Sequence, residues 1–213
     1  MAPSTSLTSP PLPEGAADFG VAALSRFYGW QAGLYDWTRP FFLFGRGEAV
    51  RRLGVQRGHR VLDVGCGTGW NLGALVRRGG DVIGVECSPP MLRRAEARVA
   101  ALGRVRLDPR PYGSHSDYAG RADRILFSYS LSMIPPYDRV LERARFDLTP
   151  GGRIAVVDFL DARGPVRGWL TRSHVALGHA RLHALRRWFP EHEVEVAWTP
   201  LWRYFLFVGA AAP

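Results

Sequence analysis

A strand that runs directly into three alternate glycines constrains this chain more than any other feature. Residues 61–64 have strand character, and Gly65, Gly67 and Gly69 follow before a helix-like pattern begins. A turn this tight uses backbone angles that glycine adopts most readily, and the missing Cβ lets a ligand approach the main chain closely. The N–H groups of the following helix then face that ligand. The stretch therefore predicts a ligand-binding turn between a strand and a helix.

Two classes of ligand use a turn of this kind. Dinucleotide-binding proteins need G-x-G-x-x-G, whose third glycine would fall at position 70, where this chain has Trp70. The G-x-G-x-G turn of S-adenosylmethionine enzymes fits as it stands. A second strand, residues 82–85, ends in Glu86 at the spacing of a strand–helix–strand unit, where an acid can accept hydrogen bonds from both ribose hydroxyls. The turn and the acid together favour S-adenosylmethionine.

Strand-like and helix-like segments continue to alternate beyond this unit. Further apolar runs predict strands at residues 105–107, 125–128 and 153–157. This alternation predicts an α/β fold with a parallel sheet covered by helices on both faces. The last two runs, 193–198 and 202–208, have only a short turn between them, which predicts a hairpin and hence one antiparallel strand.

The composition is that of an ordinary globular protein. The chain has 213 residues, of which 46% are hydrophobic and 22% charged, and this is enough for one good core. Two cysteines cannot build a disulfide scaffold, so a reducing compartment is expected. The N-terminus lacks an apolar signal region and no run approaches the roughly 20 apolar residues of a membrane span. We expect a cytoplasmic protein, soluble or peripheral to the inner membrane surface.

The net charge of +9 raises the question of a polyanionic partner. All 28 basic residues are arginine, and the chain is also rich in alanine, glycine and proline. This composition resembles a genome-wide base bias more than a selected nucleic-acid surface, so we expect no DNA and do not favour RNA. Attraction to an anionic membrane remains a stronger expectation.

Aromatic residues are concentrated in the N-terminal part of the chain. Residues 1–17 are predicted to form a disordered tail, and 18–213 a single domain whose residues 18–57 form a helical cap. Within the cap, polar-tipped rings at Tyr28, Trp30 and Tyr35 either line a pocket or pack on the core. Residues 41–44 either pack on the core or dip into a membrane interface.

Ligands of open α/β sheets bind at the carboxyl ends of the strands. Ser128, Tyr129 and Ser130 end the fourth predicted strand and are therefore pocket candidates. His179 and His183 lie one helical turn apart, but no acidic residue lies between them and no H-E-x-x-H occurs. No metal site is predicted.

Residues 18–208 as a whole resemble class I S-adenosylmethionine-dependent methyltransferases. That resemblance implies a Rossmann-like seven-stranded sheet, mostly parallel, with the last strand antiparallel. Three stretches are similar to the diacylglyceryl-homoserine N-methyltransferase of bacterial betaine-lipid synthesis: WQAGLYD at 30–36, FSYSLSMIP at 127–135 and LWRYFLFVG at 201–209. Residues 107–116 depart from the family, because no acid or amide in this segment can be aligned with the residue that contacts the adenine.

The resemblance implies a role for each matching position. The cofactor-binding residues it implies are Tyr28, Asp63, Gly65, Cys66, Gly67, Thr68, Gly69, Glu86, Cys87, Met91 and Ser128. The substrate-binding residues are Trp30, Arg39, Ser130 and Met133. The residues expected at the reaction are Tyr35, Tyr129 and Asp158, with Tyr35 closing over the site and Asp158, or a water held by Tyr129, receiving the proton of the amine.

The acceptor implied by the closer resemblance is the amine of a lipid head group. An alternative acceptor is a small molecule or natural product, methylated on nitrogen or oxygen. A hypothesis of another class is a non-catalytic protein of the same fold that binds RNA through its arginine surface.

Overall fold

The computed structural model describes residues 43–211. The predicted tail and most of the predicted cap lie outside this range. The proposals for Tyr28, Trp30, Tyr35 and Arg39 therefore fall outside the described residues and remain predictions. No helix within residues 43–211 has both the length and the apolar character that a membrane span requires.

Strands and helices alternate along the described chain. The helices are α1 (Arg46–Arg52), α2 (Leu72–Arg77), α3 (Pro89–Val99), α4 (Tyr137–Asp147), α5 (Gly164–Arg172) and α6 (Ala180–Trp188), with a 3-10 turn at Leu131–Met133. The strands are β1 (Arg60–Val64), β2 (Asp81–Val85), β3 (Val105–Asp108), β4 (Ala122–Ser128), β5 (Leu148–Ala162), β6 (His192–Trp198) and β7 (Trp202–Ala210).

The seven strands form one sheet in the order β3-β2-β1-β4-β5-β7-β6. The pairs from β3 to β5 are parallel, whereas β7 lies between β5 and β6 and runs antiparallel to both. The predicted Rossmann-like sheet with an antiparallel last strand is thus confirmed. The strand order reverses between β1 and β4, which is the point where open α/β sheets bind their ligands.

Two hydrophobic cores lie on the two faces of the sheet. Side chains alternate between the faces along β1, so that Leu62 and Val64 pack beneath α4 and α6 while Val61 packs beneath α1 and α2. Burial on both faces explains why the central strands consist almost entirely of apolar residues. Asp63 is the one buried residue of β1 that is not apolar, and it is completely buried.

One boundary differs from the sequence prediction, which begins the fifth strand at residue 153. β5 begins at Leu148, which pairs with Ala122, and the next pair is Arg153 with Arg124. Residues 149–152, between these two pairs, form a bulge in which Gly151 has a φ of 71°, and the Gly152 carbonyl accepts a hydrogen bond from the N–H of Ala211.

Candidate functional site

The glycine turn connects the carboxyl end of β1 to α2. Gly65, Gly67 and Gly69 have φ angles of 68°, 58° and 78°, which lie in the left-handed region that favours glycine. The N–H groups of Gly65 and Cys66 both donate to the Val85 carbonyl of β2, at 2.8 and 3.1 Å. The end of β2 therefore fixes where the turn begins.

Close packing imposes a second requirement for glycine at the start of this turn. A Cβ added at Gly65 would lie 2.5 Å from the Cβ of Ser130, which is far closer than nonbonded carbon atoms approach. The Ser130 hydroxyl donates a 2.6 Å hydrogen bond to the Val64 carbonyl. Ser130, predicted to contact substrate, thus holds the end of β1 against the segment that follows β4.

Glu86 holds the other side of the turn. One carboxylate oxygen accepts a hydrogen bond from the Gly67 N–H at 2.9 Å, and the other accepts from the Ser88 N–H at 2.8 Å. The acid therefore lies beside the glycine turn at the end of β2, the position from which it was predicted to bind ribose hydroxyls. Its contact with a ribose remains a prediction.

Asp63 is a buried acid in β1, two residues before the turn, with no hydrogen-bond partner among the described residues. Neither carboxylate oxygen is within hydrogen-bonding geometry of a residue in 43–211. Burial raises the pKa of this carboxyl from 3.8 to about 7, while the Arg46 charge and the Asn71 side chain act in the opposite direction. The hydroxyl of Ser128, at the end of β4, is likewise buried and has no hydrogen bond within the described range.

The remaining predicted cofactor residues surround the turn. Thr68 is buried, and both its carbonyl and its hydroxyl accept hydrogen bonds from Arg98, at 2.7 and 2.8 Å. Cys66 is buried within the turn and Cys87 is half-buried after Glu86. Burial raises the pKa of the Cys87 thiol to about 11, so the thiol is protonated at neutral pH. Met91 is buried on α3.

Tyr129 directly follows β4, and Asp158 lies in β5 one position beyond Val157, the partner of Ser128. Asp158 is completely buried and accepts hydrogen bonds from the Ser132 N–H and hydroxyl, at 2.7 and 2.8 Å, and from the Phe159 N–H at 2.8 Å. Burial raises the pKa of this carboxyl. These bonds give Asp158 a positioning role for the 130–133 segment, and proton transfer to it is untested. Met133 is half-buried in the same segment.

A chain of aromatic rings extends from Tyr129 to the surface. The Tyr129 ring lies 4.6 Å from Phe159, which lies 6.2 Å from Trp202, which in turn lies 6.1 Å from Phe44. The Tyr129 hydroxyl donates to the Phe44 carbonyl at 2.8 Å. Sequence reasoning missed Phe159 and Trp202, although each stands at one end of a predicted strand, where pocket residues are expected.

Asp108 is the acid that ends β3, within the segment where no adenine contact could be aligned. It accepts hydrogen bonds from the Arg110 backbone and guanidinium and from the Tyr118 hydroxyl. Its side chain is thus engaged by the loop that follows β3. In residues 43–211 no three His, Cys, Asp or Glu side chains are grouped so as to hold a metal ion.

The residues present fit S-adenosylmethionine. Glu86 lies beside the glycine turn, and Asp63 and Ser128 have buried oxygens that are unpartnered within the described range. Such oxygens are costly unless a ligand supplies the missing hydrogen bonds. The fold and this site together define a class I S-adenosylmethionine-dependent methyltransferase.

Comparison with known proteins agrees with this class. The chain belongs to the family described as the methyltransferase domain, whose model matches residues 42–205. It is 34% identical over 153 residues to an uncharacterized methyltransferase of Mycobacterium tuberculosis, covering 72% of this chain and 74% of that one. It is 39% identical over 128 residues to methyltransferase GfsG of Streptomyces halstedii, where the match covers 58% of this chain and only 44% of the relative.

Solved structures share the fold at low sequence identity. Phosphoethanolamine N-methyltransferase 2 of Haemonchus contortus, in complex with phosphomonomethylethanolamine and S-adenosylhomocysteine, has a TM-score of 0.76 at 18% identity, covering 93% of this chain and 60% of its own. A Burkholderia thailandensis 1,6-didemethyltoxoflavin-N1-methyltransferase with bound S-adenosylhomocysteine has a TM-score of 0.71 at 20% identity, covering 97% and 94%. The predicted enzyme class and cofactor are thus confirmed at the level of the family.

Proposed function

We propose that the protein methylates the amine of a lipid head group of the diacylglyceryl homoserine type. The observation that carries this proposal is the chain of rings Tyr129, Phe159, Trp202 and Phe44. It begins at the end of β4, next to the glycine turn, and ends in Phe44, which is 47% exposed. Aromatic faces stabilise an ammonium group by about 0.5 to 2 kcal/mol each, which favours an amine acceptor.

The residues of the chain have separate tasks in this proposal. When bound, S-adenosylmethionine supplies an electrophilic methyl group. Asp63 and Glu86 provide negative charge for the amino-acid end and the ribose of the cofactor, and Ser130 and Asp158 keep the acceptor segment in place. A neutral amine needs no covalent help from the protein, because alignment and proximity provide most of the acceleration.

An apolar surface beside the ring chain supports a lipid acceptor. Trp198 and Leu201, on either side of the β6–β7 turn, are 63% and 45% exposed. The guanidinium groups of Arg163 and Arg203 lie 5.5 and 4.7 Å from the centre of the Trp198 ring. Tryptophan flanked by arginine is typical of surfaces that rest in the interface of an anionic bilayer. We propose that the enzyme works at the cytoplasmic surface of the membrane through this face.

The test is methyl transfer from labelled S-adenosylmethionine. Diacylglyceryl homoserine in phosphatidylglycerol vesicles should yield a methylated lipid with purified protein. The matched control is Gly65→Ala, which should lose cofactor binding and transfer together. Label that enters only a soluble amine or a natural-product scaffold would overturn the lipid acceptor and leave the enzyme class intact.

A small-molecule acceptor is the second candidate. The 1,6-didemethyltoxoflavin methyltransferase matches this chain over nearly the full length of both proteins. Demethylmenaquinone methyltransferase of Tropheryma whipplei is 31% identical over 152 residues. Transfer to heterocyclic or quinone acceptors, at rates unchanged by vesicles, would favour this candidate. Salt-sensitive retention of RNA without any methyl transfer would instead favour a non-catalytic RNA-binding protein.

A further inference from the structure

The connection between β3 and β4 contains no helix, unlike the connections β1–β2, β2–β3, β4–β5 and β5–β6. Residues 109–121 are rich in proline, glycine and serine, which favour turns over helix. Among residues 43–211, this loop therefore stands where the other crossover connections have a helix. A cavity of about 530 Å³ lies between the loop and the sheet.

The strand register shows how the cavity is built. Leu62, Ile83 and Arg106 are neighbours in one row across β1, β2 and β3, and all three line the cavity. Arg60 lies two residues before Leu62 and so points to the same face. Arg121, the last residue of the loop before β4, completes the lining. An apolar floor is thus bordered by arginines from two strands and a loop.

Two of these arginines have no counter-charge among residues 43–211. Arg106 and Arg121 are exposed, and neither forms an ion pair or side-chain hydrogen bond with a residue in 43–211. The guanidinium of Arg60 is only loosely paired, at 3.8 Å from the Asp123 carboxylate. Arg110, by contrast, is fully engaged by Asp108 and Asp117. Asp108 and Asp117 also line the cavity, but they pair with Arg110, so within residues 43–211 the charges of Arg106 and Arg121 leave the cavity mouth positive.

We propose that this cavity binds a small amphipathic anion, with one phosphate or carboxylate head held by Arg106, Arg121 and Arg60 and a short alkyl body on Leu62 and Ile83. Guanidinium groups bind such heads through paired N–H donors. The aliphatic floor favours an alkyl body over an aromatic one. The volume suits a molecule of ordinary ligand size. None of the glycine-turn residues lines the cavity.

Calorimetry with n-octyl phosphate, below its micelle concentration, tests the proposal on the full chain. Octyl phosphate should bind with a dissociation constant in the micromolar range, whereas octyl glucoside and inorganic phosphate should bind at least tenfold more weakly. In the series butyl, hexyl and octyl phosphate, affinity should rise about fourfold for each methylene that reaches the floor.

Two double variants separate this site from general surface charge. Arg106→Ala with Arg121→Ala should weaken octyl phosphate binding at least tenfold. The matched control, Arg77→Ala with Arg78→Ala, removes the same charge from exposed positions outside the cavity and should leave binding unchanged. Both variants should bind S-adenosylhomocysteine as the wild type does, which verifies folding. Equal binding of octyl glucoside, a flat chain-length series, or unchanged binding by the first variant would overturn the proposal.

Discussion

Replacing Asp63 by asparagine removes the buried acid beneath the glycine turn while keeping the size of the side chain. Burial raises the pKa of Asp63 from 3.8 to about 7. Between these two values the folded protein holds a proton that the unfolded chain has released. The free energy of unfolding of the cofactor-free protein therefore decreases as the pH rises through this interval, at up to about 1.4 kcal/mol per pH unit.

The size of the effect follows from the two pKa values. From pH 5 to pH 8 the wild type should lose about 2 to 3 kcal/mol of stability relative to Asp63→Asn, which has no such titration. Titratable groups that the wild type and Asp63→Asn share contribute equally to both proteins, so their effects cancel in the comparison. Urea unfolding of both proteins at pH 5 and pH 8, without cofactor, measures it directly. If wild type and Asp63→Asn differ in free energy of unfolding by the same amount at pH 5 and pH 8, the raised pKa of Asp63 is refuted.

The same variant also tests the role of Asp63 in binding. Because its oxygens have no hydrogen bond within the described residues, a ligand that supplies donors gains from the charged form. Asp63→Asn should therefore weaken S-adenosylhomocysteine binding about tenfold or more at pH 8, measured by calorimetry. If Asp63→Asn is more stable at pH 8 but binds S-adenosylhomocysteine as tightly as the wild type, Asp63 does not contact the cofactor. The predicted pH dependence of stability would still hold.

Three further variants address the rest of the site. Gly65→Ala introduces a Cβ that would clash at a positive φ, so it should abolish S-adenosylhomocysteine binding in calorimetry, whereas Gly103→Ala, which faces open space, should not. Glu86→Gln keeps one acceptor for the backbone but loses the charge, and should weaken the same binding about tenfold. Arg181→Met leaves the buried charge of Asp158 uncompensated and should lower the free energy of unfolding, measured with urea, by about 3 kcal/mol. Adding Asp158→Asn should recover most of this loss. If the double variant recovers nothing, the two charges are not coupled.

The cofactor half of the site could be predicted because it is encoded locally. The glycines of the turn and Glu86 belong to one strand–helix–strand unit, and their spacing alone selects the ligand class. The alternation of strands and helices likewise predicted the sheet and its antiparallel last strand. In both cases neighbouring residues in the chain determine the structure, so a pattern in the sequence suffices.

The segments proposed to hold the acceptor depend on contacts between distant parts of the chain, which the sequence does not display. Phe159 and Trp202 meet because β5 and β7 are neighbours in the sheet, and Arg181 reaches the Phe159 carbonyl from α6. The role of Asp158 as a hydrogen-bonded anchor for Ser132 follows from the same long-range packing. Sequence reasoning could place these residues at strand ends but could not pair them.

Ser130 connects the two halves. Its hydroxyl holds the last carbonyl of β1, and its Cβ is the atom that a side chain at Gly65 would strike. The glycine requirement at the start of the turn therefore comes from the segment that follows β4 as well as from backbone geometry. The same residue leads directly into the segment that Asp158 anchors through Ser132. We therefore expect that a displacement of residues 130–133 also shifts the glycine turn, so that changes in this segment alter cofactor affinity.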